Sequence, residues 1–226
     1  MIKLNPINGF YSVVLLGGFN PLIFHPFWLL QKKLISEADV TEKEIIVNDQ
    51  ISNYKVGDWM QMTVTKNRLE FKIWKPERIV VMRDLIFGTL NALPETPIIA
   101  IGINRGCVYS LGNDKSYYEF GAQLAPLQIW EPSFSNPRLR NIAIEEIGSD
   151  DNKDKKGKRR LIQIKPAEVV DVPYCIDVNI NNHYDLDKQC VIRTLELLDE
   201  HLDSDFDTFQ IIVDALVEKM NENGKN

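Results

Sequence analysis

Asp58, Glu70 and Lys72 have the make-up of a metal-dependent phosphodiesterase site. Carboxylates on adjacent strands, with a lysine two residues from one of them, can hold a divalent cation that activates water. Met60, Met62 and Val64, then Leu69, Phe71 and Ile73, alternate with polar residues around a turn at Lys66-Asn67. This is a hairpin with one buried face, and Glu70 and Lys72 fall on the opposite face. Cross-strand pairing of charges accounts for them equally well. His183-Tyr184-Asp185-Leu186-Asp187 alternates side chains that ligate metals. The competing reading is a strand end, with Asp187 capping the helix that follows. Asp203, Asp205 and Asp207 have the spacing of a calcium loop, but Thr208 stands where such a loop needs glycine. They read as a cap between two helices.

Residues 149–160 contain no apolar side chain and read as a long, solvated hairpin loop. Lys153, Lys155, Lys156, Lys158, Arg159 and Arg160 supply six cations for phosphate contact. Asp150, Asp151 and Asp154 dilute them, and a passive charged tip is the competing account.

Gly17-Gly18-Phe19-Asn20-Pro21 follows an apolar strand and precedes a helix, with His25 close behind. The motif resembles the nucleotide-binding turn of nucleotidyltransferases, G-G-x-F-x-P-x-H-x-x-H. The resemblance implies glycines that let the backbone approach a phosphate and histidines that stabilise the transferred group. The sequence departs from it: nothing separates Gly18 from Phe19, His25 lies four residues after Pro21, and no second histidine follows. A strand-turn-helix corner with a capping histidine explains the same residues.

The elements that would position these groups follow from periodicity. Tyr11–Leu16 reads as a buried strand, Pro26–Ile35 as a helix and 44–75 as strands. Pro76-Glu77 opens a helix running to Leu93. Ile98–Ile103 has the continuous apolar character of a central strand, prolonged by Val108–Leu111 past a bend at Arg105-Gly106. Tyr117–Trp130 suggests a short helix. Ile142–Ile147 and Leu161–Ile164 pair, and Tyr174–Ile180 follows with Cys175, Asp177 and Asn179 on one side. Two C-terminal helices are expected, lined by Val191, Leu195, Leu198 and Leu202, then by Phe206, Phe209, Val213, Leu216 and Met220. Hairpins beside helices predict an α+β fold, a mainly antiparallel sheet covered by helices. Residues 1–226 read as a single domain, with a hint of two related halves.

The chain has 226 residues, 44% hydrophobic and 26% charged, enough for a core without disulfides. A net charge of -6 argues against nucleic acid as a partner of the whole surface. Cys107, Cys175 and Cys190 form no C-x-x-C pair, which favours a reducing compartment. No membrane span or secretion signal is evident, and a cytoplasmic location is expected.

Phe19-Asn20-Pro21, His25-Pro26-Phe27-Trp28, the run Pro97 to Asn104, and Leu124-Ala125-Pro126 with Trp130 together resemble a loosely defined group of uncharacterised bacterial proteins of similar length. The resemblance covers about the first 130 residues. It implies one shared surface around Asn20, His25, Trp28, Asn104 and Arg105, and transfers no catalytic residue. The expected function is that of a non-enzymatic binding or assembly protein of a bacterial cell, acting through protein–protein contacts. Its partners would be other proteins or further copies of the chain, with no membrane, cofactor or metal. Exposed aromatics such as Trp59, Trp74 and Tyr117-Tyr118 would serve as anchors. The alternatives are a metal-dependent nuclease or phosphoryl-transfer enzyme, and a nucleic-acid-binding accessory protein using Lys155, Lys156, Lys158, Arg159 and Arg160.

Overall fold

A computed structural model describes residues 2–40, 45–147, 158–186 and 190–223. The chain forms an α+β fold built on one nine-stranded sheet in which every neighbouring pair is antiparallel. The first half runs β1 (Asn5–Gly17), α1 (Pro26–Gln31), β2 (Ile46–Val47), β3 (Ile51–Val56), β4 (Met60–Thr65), β5 (Arg68–Ile73) and α2 (Ile79–Asn91). The second runs β6 (Ile98–Ser110), α3 (Asp114–Leu124), β7 (Ile142–Ile147), β8 (Lys158–Val169), β9 (Val172–Asp185) and α4 (Val191–Asn223). The strand order is β2-β3-β4-β5-β1-β6-β9-β8-β7. Each half is thus a long strand, a helix, a meander of four strands in the first half and three in the second, and a helix. The two long strands, β1 and β6, pair with each other at the centre.

Alternation decides the two faces. Val13 and Leu15 of β1, Met60, Met62 and Val64 of β4, Leu69, Phe71 and Ile73 of β5, and Ile101 and Ile103 of β6 are buried on one side. Helices α1 and α2 and the first half of α4 cover them with Leu29, Met82, Leu85, Ile86, Leu198, Leu202 and Phe206. A second cluster joins Ile164, Ile176, Val178 and Ile180 to Phe120 of α3 and to Phe209, Val213 and Met220 of α4. All four helices therefore contribute to the same side of the sheet.

Two expected helices prove to be one. α4 continues through Asp203-Ser204-Asp205 for 33 residues, roughly 50 Å, and spans both clusters. The hydroxyls do not end the helix: Ser204 Oγ donates to His201 O (3.1 Å) and Thr208 Oγ1 to Ser204 O (2.7 Å). Asp205 is no cap; its side chain turns toward the sheet and is only 2% exposed. Three further expectations change. β6 runs unbroken through Arg105-Gly106, α1 stops at Gln31, and Lys158, Arg159 and Arg160 belong to β8 rather than to a loop tip. Lys153, Lys155, Lys156 and Asp187 lie outside the described residues. No described helix is long and apolar enough to cross a membrane.

Candidate functional site on the uncovered sheet face

The other face of the sheet carries no helix among the described residues. Its central strands present Phe10, Ser12, Val14 and Leu16 from β1, Gly102 and Asn104 from β6, Asn179, Asn181 and His183 from β9, and Leu161 and Gln163 from β8. Together with Arg68 and Glu70 of β5 they line a groove of about 370 Å³. Register explains the grouping: Ser12 faces Asn104, Asn104 faces Asn181, and Asn181 faces Leu161. Even-numbered residues of β1 and β6 thus fall in one row with odd-numbered residues of β9 and β8.

Glycine makes the floor. A Cβ on Gly106 would lie 2.2 Å from Asn179 Oδ1 and 2.4 Å from Phe10 Cε1, so these side chains fold across the space it leaves. Asn104 Nδ2 donates to Ser12 Oγ (3.3 Å), while the buried Asn181 Oδ1 has no hydrogen-bond partner among the described residues. An acceptor in that state favours a ligand that brings a donor.

Charges around the amide floor are matched in place. Arg68 meets Glu70 at 3.1 Å, Lys165 meets Asp177 at 3.7 Å, and Lys72 lies 4.2 Å from the centre of the Phe10 ring. Asp185 holds Arg159 at 3.2 Å and His183 at 2.9 Å. The face therefore offers hydrogen bonds rather than a net field.

The structure disperses the residues expected to act together. Asp58 accepts from Lys75 Nζ (2.5 Å), and that ammonium holds its carboxyl below the usual carboxylate range. It sits at the β3–β4 turn, whereas Glu70 stands beside Thr63 within the sheet. No group of three His, Cys, Asp or Glu able to hold a metal occurs among the described residues. The Gly17-Gly18 turn is closed to phosphate, because Gly17, Gly18 and Phe19 N–H donate to Asn67 O, Pro97 O and Lys66 O. A Cβ at Gly17 would lie 2.2 Å from Pro97 O, which is the physical need for glycine there.

The surface expected around Asn20, His25, Trp28, Asn104 and Arg105 does not form. Asn20 Oδ1 accepts from Leu22 N–H and closes a turn. His25 caps α1, its Nδ1 accepting from Phe27 N–H (3.2 Å) while its ring stacks on Phe27. Trp28 packs on Phe24. Asn104 and Arg105 are neighbours in one strand and so point to opposite faces. Only Asn104 reaches the groove. Arg105 Nη1 donates to Phe206 O (2.8 Å), and its guanidinium lies between the rings of Tyr11 and Phe209. Trp59 is buried, and Trp74, 37% exposed, donates from Nε1 to Asp58 O (2.7 Å).

A polar cluster under α4 went unread in the sequence. Tyr184 donates its hydroxyl to Asp205, which also accepts from Lys158 Nζ (3.2 Å) and lies 3.9 Å from Arg160 Nη2. Arg160 Nε donates to the buried Asn182 (2.7 Å). Of the five proposed nucleic-acid contacts, the described Lys158 and Arg160 thus neutralise a buried carboxylate and the described Arg159 pairs with Asp185. The available signal was the period-two run Asp177, Asn179, Asn181, His183, Asp185, which places Tyr184 on the helix side.

Burial, and then the bond to Asp205, push the Tyr184 hydroxyl above its ordinary pKa; burial does the same to Tyr54 and Tyr109. A folded-state pKa above the unfolded value of about 10 gives stability that is complete below that pH and lost as pH rises. Unfolding free energy should therefore fall above about pH 10, and more gently in Tyr184→Phe. Urea titrations from pH 8 to 11.5 check this; parallel curves would remove Tyr184 from the explanation.

No protein-family model matches the chain, and no curated protein matches it.

Proposed function

We propose that this chain is a non-enzymatic binding protein of the bacterial cytoplasm, folded as one α+β domain, that acts through protein–protein contacts at its uncovered sheet face. The observation that carries this reading is the one-sided placement of the helices. They leave the other face of a large sheet to a groove in which Ser12, Asn104, Asn179, Asn181 and Gln163 stand among Phe10, Val14, Leu16 and Leu161. An uncharged, hydrogen-bonding floor suits the main-chain and amide groups of a polypeptide better than a polyanion, since each cation around it already has a carboxylate or a ring.

The test is recovery of partners on the tagged protein from a bacterial host, with Gln163→Trp run beside the wild type. Gln163 lines the groove, so the indole fills it without touching either core cluster. The expected result is a stoichiometric protein partner whose recovery falls roughly tenfold or more in the variant, with the melting temperature unchanged. Full retention by Gln163→Trp, with loss in Trp74→Ala, would move the contact to the exposed tryptophan.

A further inference from the structure

The two ends of the sheet are unlike. At one end β2 has two residues, and a bridge between Val40 and Val56 covers part of β3 behind it. Short and covered edges are the usual protection of a sheet against other chains. At the other end β7 presents six residues, and among the described residues no strand pairs with its outer edge. Ile142–Ile147 contains no proline, and its pairing with β8 runs from Ile142 to Ile147 without a bulge; the charges it carries are Glu145 and Glu146. Ile144 is 58% exposed although it lies on the helix side of the sheet, so the covering layer stops short of β7.

We propose that the outer edge of β7 accepts an extended, basic segment of a partner protein as a tenth strand. The backbone of β7 supplies the ladder, as in other strand-addition complexes. Charge supplies the selectivity. Glu145 and Glu146 project to opposite faces at the edge, and Glu146 already holds Arg160 Nη1 at 3.3 Å, so the charge selectivity rests on Glu145. A basic residue opposite Glu145 is favoured, and an apolar residue opposite Ile144 extends the shelf begun by Ile162 and Ile164. A second copy of this chain is the poorer occupant. Self-pairing would bring a second Glu145 and Glu146 into the same ladder of an already acidic protein.

No β7 residue lines the groove, so this edge and the uncovered face succeed or fail separately. The probe is the peptide acetyl-Val-Lys-Lys-Val-Thr-Val-amide, written to lie antiparallel to β7 with its lysines opposite Glu146 and Glu145. Binding to the full chain is followed by fluorescence anisotropy and by amide exchange in β7. The expected result is saturable binding with protection of β7 amides, weakened about fivefold by Glu145→Lys. N-methylation of alternate peptide residues should abolish binding in one phase and spare it in the other, because only one set of N–H groups faces the edge. Binding indifferent to both N-methylated forms would show charge attraction without strand pairing and overturn the proposal. Equal binding of the glutamate version of the peptide, or no saturable binding of the lysine peptide, would also overturn it.

Discussion

Replacing Asp205 by alanine should lower the unfolding free energy by about 3–5 kcal/mol, the usual cost of removing one member of a buried ion pair. Asp205 is the acceptor for the Tyr184 hydroxyl and for Lys158, and Arg160 stands 3.9 Å away. Its loss leaves a buried hydroxyl without its acceptor and two partly buried cations without their main counter-charge. Desolvation, which the present arrangement offsets, then goes uncompensated. Asp203 and Asp207, on the exposed side of the same helix, are the controls, and alanine there should act within about 0.5 kcal/mol. Asp205→Asn should fall between, since an amide oxygen still accepts from Tyr184 but carries no charge. Urea denaturation at pH 7 measures all four. A loss below about 1 kcal/mol for Asp205→Ala would mean that water replaces the carboxylate and that the cluster is not a structural clamp.

Arg105→Ala should cost about 3 kcal/mol through a different mechanism. The guanidinium donates to the carbonyl of Phe206, where α4 packs on β6, and lies 5.0 Å from the Tyr11 ring centre and 4.7 Å from that of Phe209. A hydrogen bond from a charged donor and two cation–π contacts contribute at this scale. Arg105→Lys should recover less than half of the loss, because an ammonium cannot stack between two rings while donating to Phe206 O. Hydrogen exchange separates this from general destabilisation. The amides of α4 near Phe206 and Phe209 should exchange faster than those of β4 and β5, which make no direct contact with Arg105. Uniform acceleration across the sheet would place the role of Arg105 elsewhere. Asp205 and Phe206 are adjacent, so the double variant Asp205→Ala, Arg105→Ala should be less destabilised than the sum of the singles.

These anchors explain why one element was misread. Asp203-Ser204-Asp205 carries the composition of a helix cap, and local chemistry alone favours a break there. The break does not occur because Lys158 and Arg160, more than forty residues earlier, hold Asp205 inside the helix–sheet interface. No window of sequence contains both sides of that interaction. The basic stretch was misread for the same reason in reverse. Lys158 and Arg160 look solvated until their counter-charge arrives from α4.

Other features were legible because their cause is local. The hairpin of β4 and β5 follows from two runs of alternating side chains around Lys66-Asn67, and its register matches: Met62 faces Phe71 and Val64 faces Leu69. The paired strands after residue 142, the strand holding Ile176, Val178 and Ile180, and the helix before Pro94 were legible on the same ground. His25 as a cap needed only its neighbours. Asn104 was singled out for a surface that does not form, yet it does reach the groove. Its partners Ser12, Asn179 and Asn181 come from strands whose order in the sheet is not written in any one segment.

By itself, then, the sequence determined the type of most elements and the side of each strand that is apolar, since periods of 2 and 3.6 residues are set by the backbone geometry of a few successive residues. Only the tertiary structure decided which strands are neighbours, which face the helices cover, where α4 ends and which charges meet. Those outcomes depend on bringing together segments as far as 219 residues apart, as when the Asn221 side chain bonds both backbone groups of Ile2.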